Sequence, residues 1–391
     1  MVEWKRLEDL GPYFGGLTGK TKEDFVEGNA KFITYMNVYA NPSLDITSTG
    51  VVKINEGEKQ NKIQKGDILF TGSSETPDEA GMSCVVTEEL NEDYYMNSFC
   101  FGLRLYAPEQ YNLHYLKHVF RSYGVRKEIA KSASGVTRFN ISKARFGKID
   151  IPIPPLSEQN RIVDILDTFT SSIDNLKQQI AQRRKQYEYY RDQLLDLEGK
   201  EGVEMKKLED VCEIKGEYGL SVPSKPYDGV RYIRITDITD DGKLNNDCVS
   251  ADCNETTKEP LQDGDLLFAR TGATVGKTLI YLEKYGKCLY AGYLIRYRIN
   301  HDIVLPKYIF HFTHSNKYNL WVKNNLVEGA QPNINAKKYN ALEIPIPLLK
   351  DQSRIVSILD TFEASISNLE AQLSQRKKQY EYYRNELLTF E

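Results

Sequence analysis

The sequence is poor in several things, and each shortage excludes something. No apolar run approaches the ~18–20 residues of a membrane-spanning helix. The opening Met1-Val2-Glu3-Trp4-Lys5-Arg6 lacks the apolar core of a signal peptide. Neither feature suggests a membrane partner. Cysteine is scarce: six residues, at 84, 100, 212, 248, 253 and 288, with no Cys-x-x-Cys pair. That argues against a disulfide framework and a zinc finger, and for the reducing cytoplasm of a cell. An excess of one charge is also missing, with 51 Lys and Arg against 55 Asp and Glu and a net charge of −4. A histone-like polycation is excluded, but local basic faces are not.

What is present is a globular composition. Apolar residues make up 40% of the 391 positions and charged residues 27%, so the chain can bury real cores. At ~100–200 residues per domain, two or three domains are expected. Tyrosine is frequent, at 26 residues.

The chain repeats itself. Residues 151–198 and 344–391 align without a gap at an offset of 193, with 31 of 48 positions identical. Both copies begin Ile-Pro-Ile-Pro and both contain Gln-Tyr-Glu-Tyr-Tyr-Arg. Fainter matches precede them. Glu3–Leu10 (EWKRLEDL) matches Glu204–Val211 (EMKKLEDV), and Gln64–Phe70 (QKGDILF) matches Gln262–Phe268 (QDGDLLF). Gly135–Ile141 lies where Gly329–Ile334 lies. A period of about 195 is too long for a solenoid and reads as a duplicated two-part module.

The near-identical block is a coiled-coil helix by its spacing. Ile162, Leu166, Phe169, Ile173, Leu176, Ile180, Arg183, Tyr187, Tyr190, Leu194 and Leu197 are separated by 4, 3, 4, 3. Ile355, Leu359, Phe362, Ile366, Leu369, Leu373, Arg376, Tyr380, Tyr383, Leu387 and Phe390 repeat that spacing. A 3.5-residue period keeps one seam on one side of a left-handed supercoil. The helix is expected over Ser157–Leu197, and at 1.5 Å per residue is ~60 Å long. Its obvious partner is the other copy, antiparallel if the halves are related by a two-fold. Pairing between molecules is the alternative. Arg183 and Arg376 break the seam at equivalent positions and either fix register or meet a partner protein.

Each preceding segment reads as a mixed α/β unit. Strands are expected at Ile63–Phe70, Val230–Ile235 and Leu266–Phe268, and helices at Tyr111–Tyr123 and Lys307–Leu326. Between Lys117 and Lys148 nine basic residues face one acid: Lys117, Arg121, Arg126, Lys127, Lys131, Arg138, Lys143, Arg145 and Lys148 against Glu128. The second unit has Lys307, Lys317, Lys323, Lys337 and Lys338 against Glu328. Basic side chains mixed with Tyr, Asn, Ser and Thr suit phosphate and base-edge contacts. A solvated helix face is the bland alternative, weakened because the bias recurs.

No catalytic constellation emerges. Gly272-Ala-Thr-Val-Gly276-Lys277-Thr278 resembles a phosphate-binding loop, but has three residues between its glycines where four are needed. A turn offering Lys277 to a polyanion is the better reading. His114 and His118 have the i, i+4 spacing of a zinc helix without its Glu, and His311 with His314 is weaker still. Neither the Asn-Pro-Pro-aromatic nor the Asp-Pro-Pro-Tyr signature of amino-methyltransferases is present, nor is Gly-x-Ser-x-Gly.

The pattern Ile-Pro-x-Pro-Pro-Leu-x-Glu-Gln-x-x-Ile-Val-x-x-Leu-Asp stands at Ile151–Asp167 (IPIPPLSEQNRIVDILD) and again at Ile344–Asp360 (IPIPLLKDQSRIVSILD). Together with the Gly-x-[Thr/Gln]-x-x-x-Ile element and the Gly-Asp-[Ile/Leu]-Leu-Phe strand, it resembles the specificity subunits of type I restriction–modification systems over essentially the whole chain. Leu348 replaces the second Pro, and Lys350-Asp351 replaces Ser157-Glu158. The resemblance implies two target recognition domains of mixed α/β fold (1–155 and 199–348), related by a pseudo-two-fold and separated by a long antiparallel two-helix coiled coil (156–198 and 349–391). It implies that each domain reads half of a bipartite duplex DNA target. The coiled coil would set the gap and dock modification subunits, two in number, with restriction subunits able to join. S-adenosylmethionine, ATP and Mg would belong to those partners, leaving this chain without cofactor or metal. Loop contacts to DNA are expected from Thr137, Arg138, Asn140, Gln331, Asn333 and Asn335, beside Arg270, Lys277 and the basic side chains already named. The competing reading from the residues alone is a coiled-coil adaptor carrying two protein-binding domains.

Overall fold

The structure is a computed structural model that describes residues 1–253, 260–326 and 332–390. It divides into two compact units: Met1–Lys177 with Gln372–Glu391, and Gln178–Ala371. Both divisions fall inside long helices, which span Leu156–Leu195 and Leu349–Leu387. Each unit therefore contains a globular part, the start of the helix that follows it, and a late portion of the other long helix.

In the first unit the central sheet is antiparallel, in the order Tyr13–Gly15, Cys100–Arg104, Asp67–Thr71, Ser83–Val85. The strand Asp67–Thr71 is buried at every position. It alternates as a strand must. Ile68 and Phe70 enter a core with Phe101, Phe120, Phe146 and the helix residues Ile162 and Leu166. Leu69 points the other way, into a core with Ile33, Val38, Cys84 and Met96. Of these, Ile33 and Met96 lie on a second sheet of Thr49–Val52, Ala30–Ile33 and Tyr94–Met96.

The second unit follows the same plan. Its sheet runs Cys212–Tyr218, Leu294–Ile299, Leu266–Ala269, Thr278–Ile280. Leu266 and Phe268 face the core that includes Ile355 and Leu359 of the second long helix. Leu267 and Ala269 face the opposite core. Mixed α/β architecture in two globular units is thus the observed fold.

The Gly-Asp motif owes its form to a turn. Gly66 and Gly264 sit at φ 89° and 87°, where a side chain is strained. The following Asp67 and Asp265 accept from the backbone N–H groups of Gln64 and Gln262, each at 2.9 Å. The strand expected at Ile63–Phe70 consequently begins only at Asp67. A second correction concerns the helix expected at Lys307–Leu326, which is two helices, Pro306–Phe312 and Asn316–Asn325. In the first unit the helix Leu113–Val119 lies inside the expected Tyr111–Tyr123, and Tyr123–Ser132 follows it, so both units have two successive helices here. Ser122 and Ser315 separate them: their backbones turn extended and their hydroxyls donate to Val119 and Phe312 carbonyls at 2.7 Å.

The start and end of each globular part meet. Glu3–Arg6 pairs antiparallel with Asp150–Ile153, and Glu204–Lys207 with Glu343–Ile346. The repeated Ile-Pro-Ile is thus an edge strand, the place in a sheet that tolerates Pro. Buried Tyr115 and Tyr308 donate to the Pro152 and Pro345 carbonyls at 2.8 and 2.7 Å. The motif's Gln is buried as well. Gln159 accepts from Asn112 N–H and donates to the Pro154 carbonyl, both at 2.9 Å. Gln352 likewise accepts from Leu305 N–H at 2.9 Å and donates to the Pro347 carbonyl at 2.8 Å.

Candidate nucleic-acid interface

Within each unit segments of the two long helices pack against each other, and in the second the pairs Arg184–Glu370 and Tyr190–Phe362 show them antiparallel. In the first unit Phe169 stacks on Tyr383, with ring centroids 5.2 Å apart, and the Arg376 guanidinium lies over Phe169 at 5.6 Å. In the second, Tyr190 stacks on Phe362 at 5.5 Å and Arg183 lies over Phe362 at 5.8 Å. The seam arginines are therefore seated on an aromatic ring of the opposing helix, a cation–π contact. The seam residues divide their work. Ile162, Leu166, Ile355 and Leu359 are buried in cores shared with the globular parts, together with Tyr380, Leu387, Tyr187 and Leu194 packed against them. Ile173 and Ile366 are buried, whereas Leu176, Ile180, Leu369 and Leu373 are half-buried.

A histidine fixes each globular part to both helices. His118 Nε2 lies 2.7 Å from Asp167 Oδ1 and its Nδ1 lies 2.9 Å from the Tyr380 hydroxyl. In the second unit His311 Nε2 lies 3.1 Å from Asp360 Oδ1, and Nδ1 lies 3.1 Å from the Tyr187 hydroxyl. An ionised carboxylate only accepts, so in the first unit Nε2 carries the proton and Nδ1 accepts from Tyr380. Burial pushes the His118 pKa down, against the opposing pull of Asp167. Burial pushes the Asp167 carboxyl up, but hydrogen bonds from His118 and Lys117 outweigh it and hold the group at about 2. His118 and His311 were legible only as equivalent residues; their partners lie too far along the chain to be inferred.

His311, Asp360 and Glu363 form the one group among the described residues with the spacing of a metal set. Asp360 addresses Nε2 of the ring and Glu363 addresses Nδ1, so the two carboxylates lie on opposite nitrogens. A hydrogen-bond network suits that arrangement better than a shared ion. The P-loop-like segment is a short turn, and Lys277 is held by Asp240 at 2.7 Å.

The expected DNA contacts fall into two groups. Several basic side chains serve the fold. Arg121 donates to the carbonyls of Ser83, Val38 and Tyr39, and Arg126 to those of Gly81, Asp78 and Ala80. Burial lowers both guanidinium pKa values to about 10. These two leave the set of surface contacts. Lys117 pairs with Asp167 at 2.8 Å, Lys307 with Asp360, and Lys317 with Glu198. Part of the basic bias thus ties the globular parts to the long helices.

Most of the others are exposed, and Arg270 and Lys338 are half-buried. Lys127, Thr137, Arg138, Asn140, Lys143 and Arg145 are exposed, as is Lys131, which pairs with Glu128 at 2.6 Å. Arg138 donates to Ser73 Oγ at 2.9 Å and lies over the exposed ring of Phe99 at 5.1 Å. In the second unit Lys323, Asn333, Asn335 and Lys337 are exposed. Asn335 caps a short helix by accepting from Lys338 N–H, and the Lys338 ammonium donates to the Asn325 carbonyl at 2.6 Å. Arg270 lies over Tyr218 at 4.9 Å and Tyr293 at 5.8 Å. Gln331 lies outside the described residues.

The fold and these surfaces define a duplicated protein whose two units each present basic and aromatic side chains beside segments of two long helices. Comparison with known proteins makes the class specific. The model of the type I restriction modification DNA specificity domain matches the chain twice, over residues 1–183 and 200–377, and the chain belongs to that family. A Haemophilus influenzae protein assigned as a type I restriction enzyme specificity subunit is 31% identical over 303 residues, 73% of this chain and 74% of its own. The EcoKI specificity subunit of Escherichia coli is 28% identical over 360 residues, 86% of this chain and 76% of its own. The solved S subunit of a type I system from M. genitalium covers 100% of this chain and 97% of its own, at a TM-score of 0.57 and 13% identity. A structure from a study of complex assembly in the type I system gives a TM-score of 0.62 at 18% identity, covering 99% and 96%. At such identities these two structures speak for the fold. The chain is a DNA specificity subunit of a type I restriction–modification system, the non-catalytic member of such an assembly. Among the described residues, no helix is long and apolar enough to cross a membrane.

Proposed function

We propose that the globular parts, residues 1–155 and 199–348, each read one half of a bipartite duplex DNA target, and that the long helices fix the unread gap between the halves. The observation that carries this is the duplication of one plan: each unit carries exposed basic and polar side chains on its helices and loops, and ties a helix of its globular part to the long helices through an equivalent histidine. Two modification subunits dock on the helices, where Tyr189 and Tyr382 stand exposed at equivalent positions. Those subunits bring S-adenosylmethionine and the methyl-transfer chemistry. A restriction subunit brings ATP and Mg, and the assembly works on DNA in the cytoplasm. A base must leave the stack to be methylated, so each modification subunit sits beside a recognition part.

Within the first unit Lys127, Lys131, Thr137, Arg138, Asn140, Lys143 and Arg145 serve as DNA contacts, and within the second Arg270, Lys277, Lys323, Asn333, Asn335, Lys337 and Lys338. Methylome sequencing of host DNA with and without the gene tests the proposal. The expected result is one gene-dependent motif of two short half-sites around a fixed gap. A continuous motif, or none, would count against it.

A further inference from the structure

Single exposed aromatic side chains are ordinary on protein surfaces. Phe99 and Tyr293 are less easily set aside, because they occupy the same place in the two units. Each is 56% exposed. Each stands on a tight turn, closed by Cys100 N–H to the Asn97 carbonyl at 3.0 Å in one unit and by Leu294 N–H to the Ala291 carbonyl at 2.8 Å in the other. Each backbone carbonyl is fixed by the end of the neighbouring strand, through Gly72 N–H at 2.7 Å and Arg270 N–H at 3.0 Å. The turn sequences, Asn97-Ser-Phe-Cys100 and Ala291-Gly-Tyr-Leu294, share nothing but the aromatic position.

A guanidinium covers each ring, and it comes from a different element in each unit. Arg138, just before the strand Phe139–Ile141, lies over Phe99. Arg270, just after the strand Leu266–Ala269, lies over Tyr293. Two different sequence solutions thus give one surface arrangement. A stacked guanidinium is pre-oriented and presents its terminal N–H groups to an anion or a base edge. An exposed ring beside it offers an apolar contact to a base edge in a groove, as Phe does to a thymine methyl group. A polyanion that also presents apolar groups at its base edges matches both features together.

We infer that Phe99 with Arg138, and Tyr293 with Arg270, are composite DNA contacts that set specificity, one for each half-site. The ring packs on a base edge and the guanidinium holds the adjoining phosphate or base edge. This rests on the reading that each unit engages one half of a bipartite target.

The test uses the full chain assembled with its modification subunits. Fluorescence anisotropy measures binding to a duplex carrying the methylome-defined target, and to two duplexes with one or the other half-site scrambled. Losing the contacts to one base pair of a duplex site costs roughly ten-fold or more in affinity. Phe99→Ala should lose about that much on the intact target, and lose nothing further on the duplex whose corresponding half-site is already scrambled. Tyr293→Ala should do the same for the other half-site, while Phe99→Tyr and Tyr293→Phe keep the affinity. Alanine variants that bind all three duplexes like the wild type would overturn the inference and leave half-site reading intact. So would a loss traced, by mass photometry, to weaker assembly with the modification subunits, since the surface would then be a protein contact. A wild-type complex that does not distinguish intact from scrambled duplexes would bring down the underlying reading, and this inference with it.

Discussion

His118 Nδ1 lies 2.9 Å from the hydroxyl of Tyr380, a residue 262 positions later in the chain. The bond joins the globular part of the first unit to the end of the second long helix, while Asp167 on the first long helix holds the other ring nitrogen at 2.7 Å. One buried imidazole thereby sets three elements. Tyr380→Phe removes one net hydrogen bond, about 1 kcal/mol. His118→Ala strands both partners and should cost about 2–3 kcal/mol. Thermal melts with hydrogen exchange should show the loss in His118→Ala concentrated on Leu113–Val119 and on the helix turns that carry Asp167 and Tyr380. Unchanged protection there would mean the ring contributes only its volume.

The same group gives a pH dependence of definite sign. Burial lowers the His118 pKa, so near pH 6.5 the unfolded chain takes up a proton that the folded chain refuses. Stability therefore falls as pH drops through 6.5 towards the lowered folded value, and this contribution levels off below it. Asp167 acts further down. Its carboxyl is held at about 2 against an ordinary 3.8, so its contribution is present above about 3.8 and disappears between there and 2. Urea denaturation of wild type and His118→Asn at pH 8, 6 and 5 should show the difference between them narrowing as pH falls. A difference that widens on acidification would contradict the buried neutral imidazole.

How much of this was legible beforehand depends on the range of the interaction. The long helices declared themselves because a 3.5-residue period is local. The Gly-Asp turn and the Ile-Pro-Ile strand recurred visibly, but not the reason for them: the partners of Gln159 and Tyr115 lie 47 and 37 positions away. Ser315 hid a helix break inside Lys307–Leu326, since a serine inside an amphipathic pattern reads as one more polar residue. The basic stretch misled in part. Arg121, Arg126 and Lys117 look like surface cations in sequence, and only the fold reveals the carbonyls and the carboxylate that hold them. Phe99 and Tyr293 escaped because equivalence between NSFC and AGYL exists in space alone.

The Gly-Asp motif carries a third prediction, an ordering. Asp67 grips Arg104 through two bonds of 2.8 and 2.7 Å, and Asp265 grips Arg298 at 2.9 and 3.0 Å. The second unit adds Arg296, 1% exposed, whose guanidinium lies 3.7 Å from Asp265 and also pairs with Glu217. Its counterpart in the first unit's sheet is Gly102, opposite Leu69 as Arg296 is opposite Leu267. Losing Asp67 leaves one partly exposed guanidinium without its carboxylate. Losing Asp265 weakens the setting of two, one of them fully buried. Breaking a buried pair costs about 3–5 kcal/mol, so Asp265→Ala should fall in that range and Asp67→Ala below it. Calorimetry of the two variants that gave the reverse order would show that Arg296 is held without Asp265.

The proposed ruler makes the last prediction. Each long helix rises ~1.5 Å per residue, so four added residues lengthen it by ~6 Å. Four residues are slightly more than one turn, which leaves the apolar seam close to its original face. The insertion has to be made in both helices at the same repeat position, because an antiparallel pair lengthened on one side alone would lose its pairing beyond the insertion. The seats of Arg376 on Phe169 and of Arg183 on Phe362 then stay in step. Base pairs are spaced ~3.4 Å along the duplex, so methylome sequencing should report the same two half-sites with the gap longer by one or two base pairs. Unchanged half-sites with an unchanged gap would mean that DNA bending or the modification subunits, rather than the helices, set the distance.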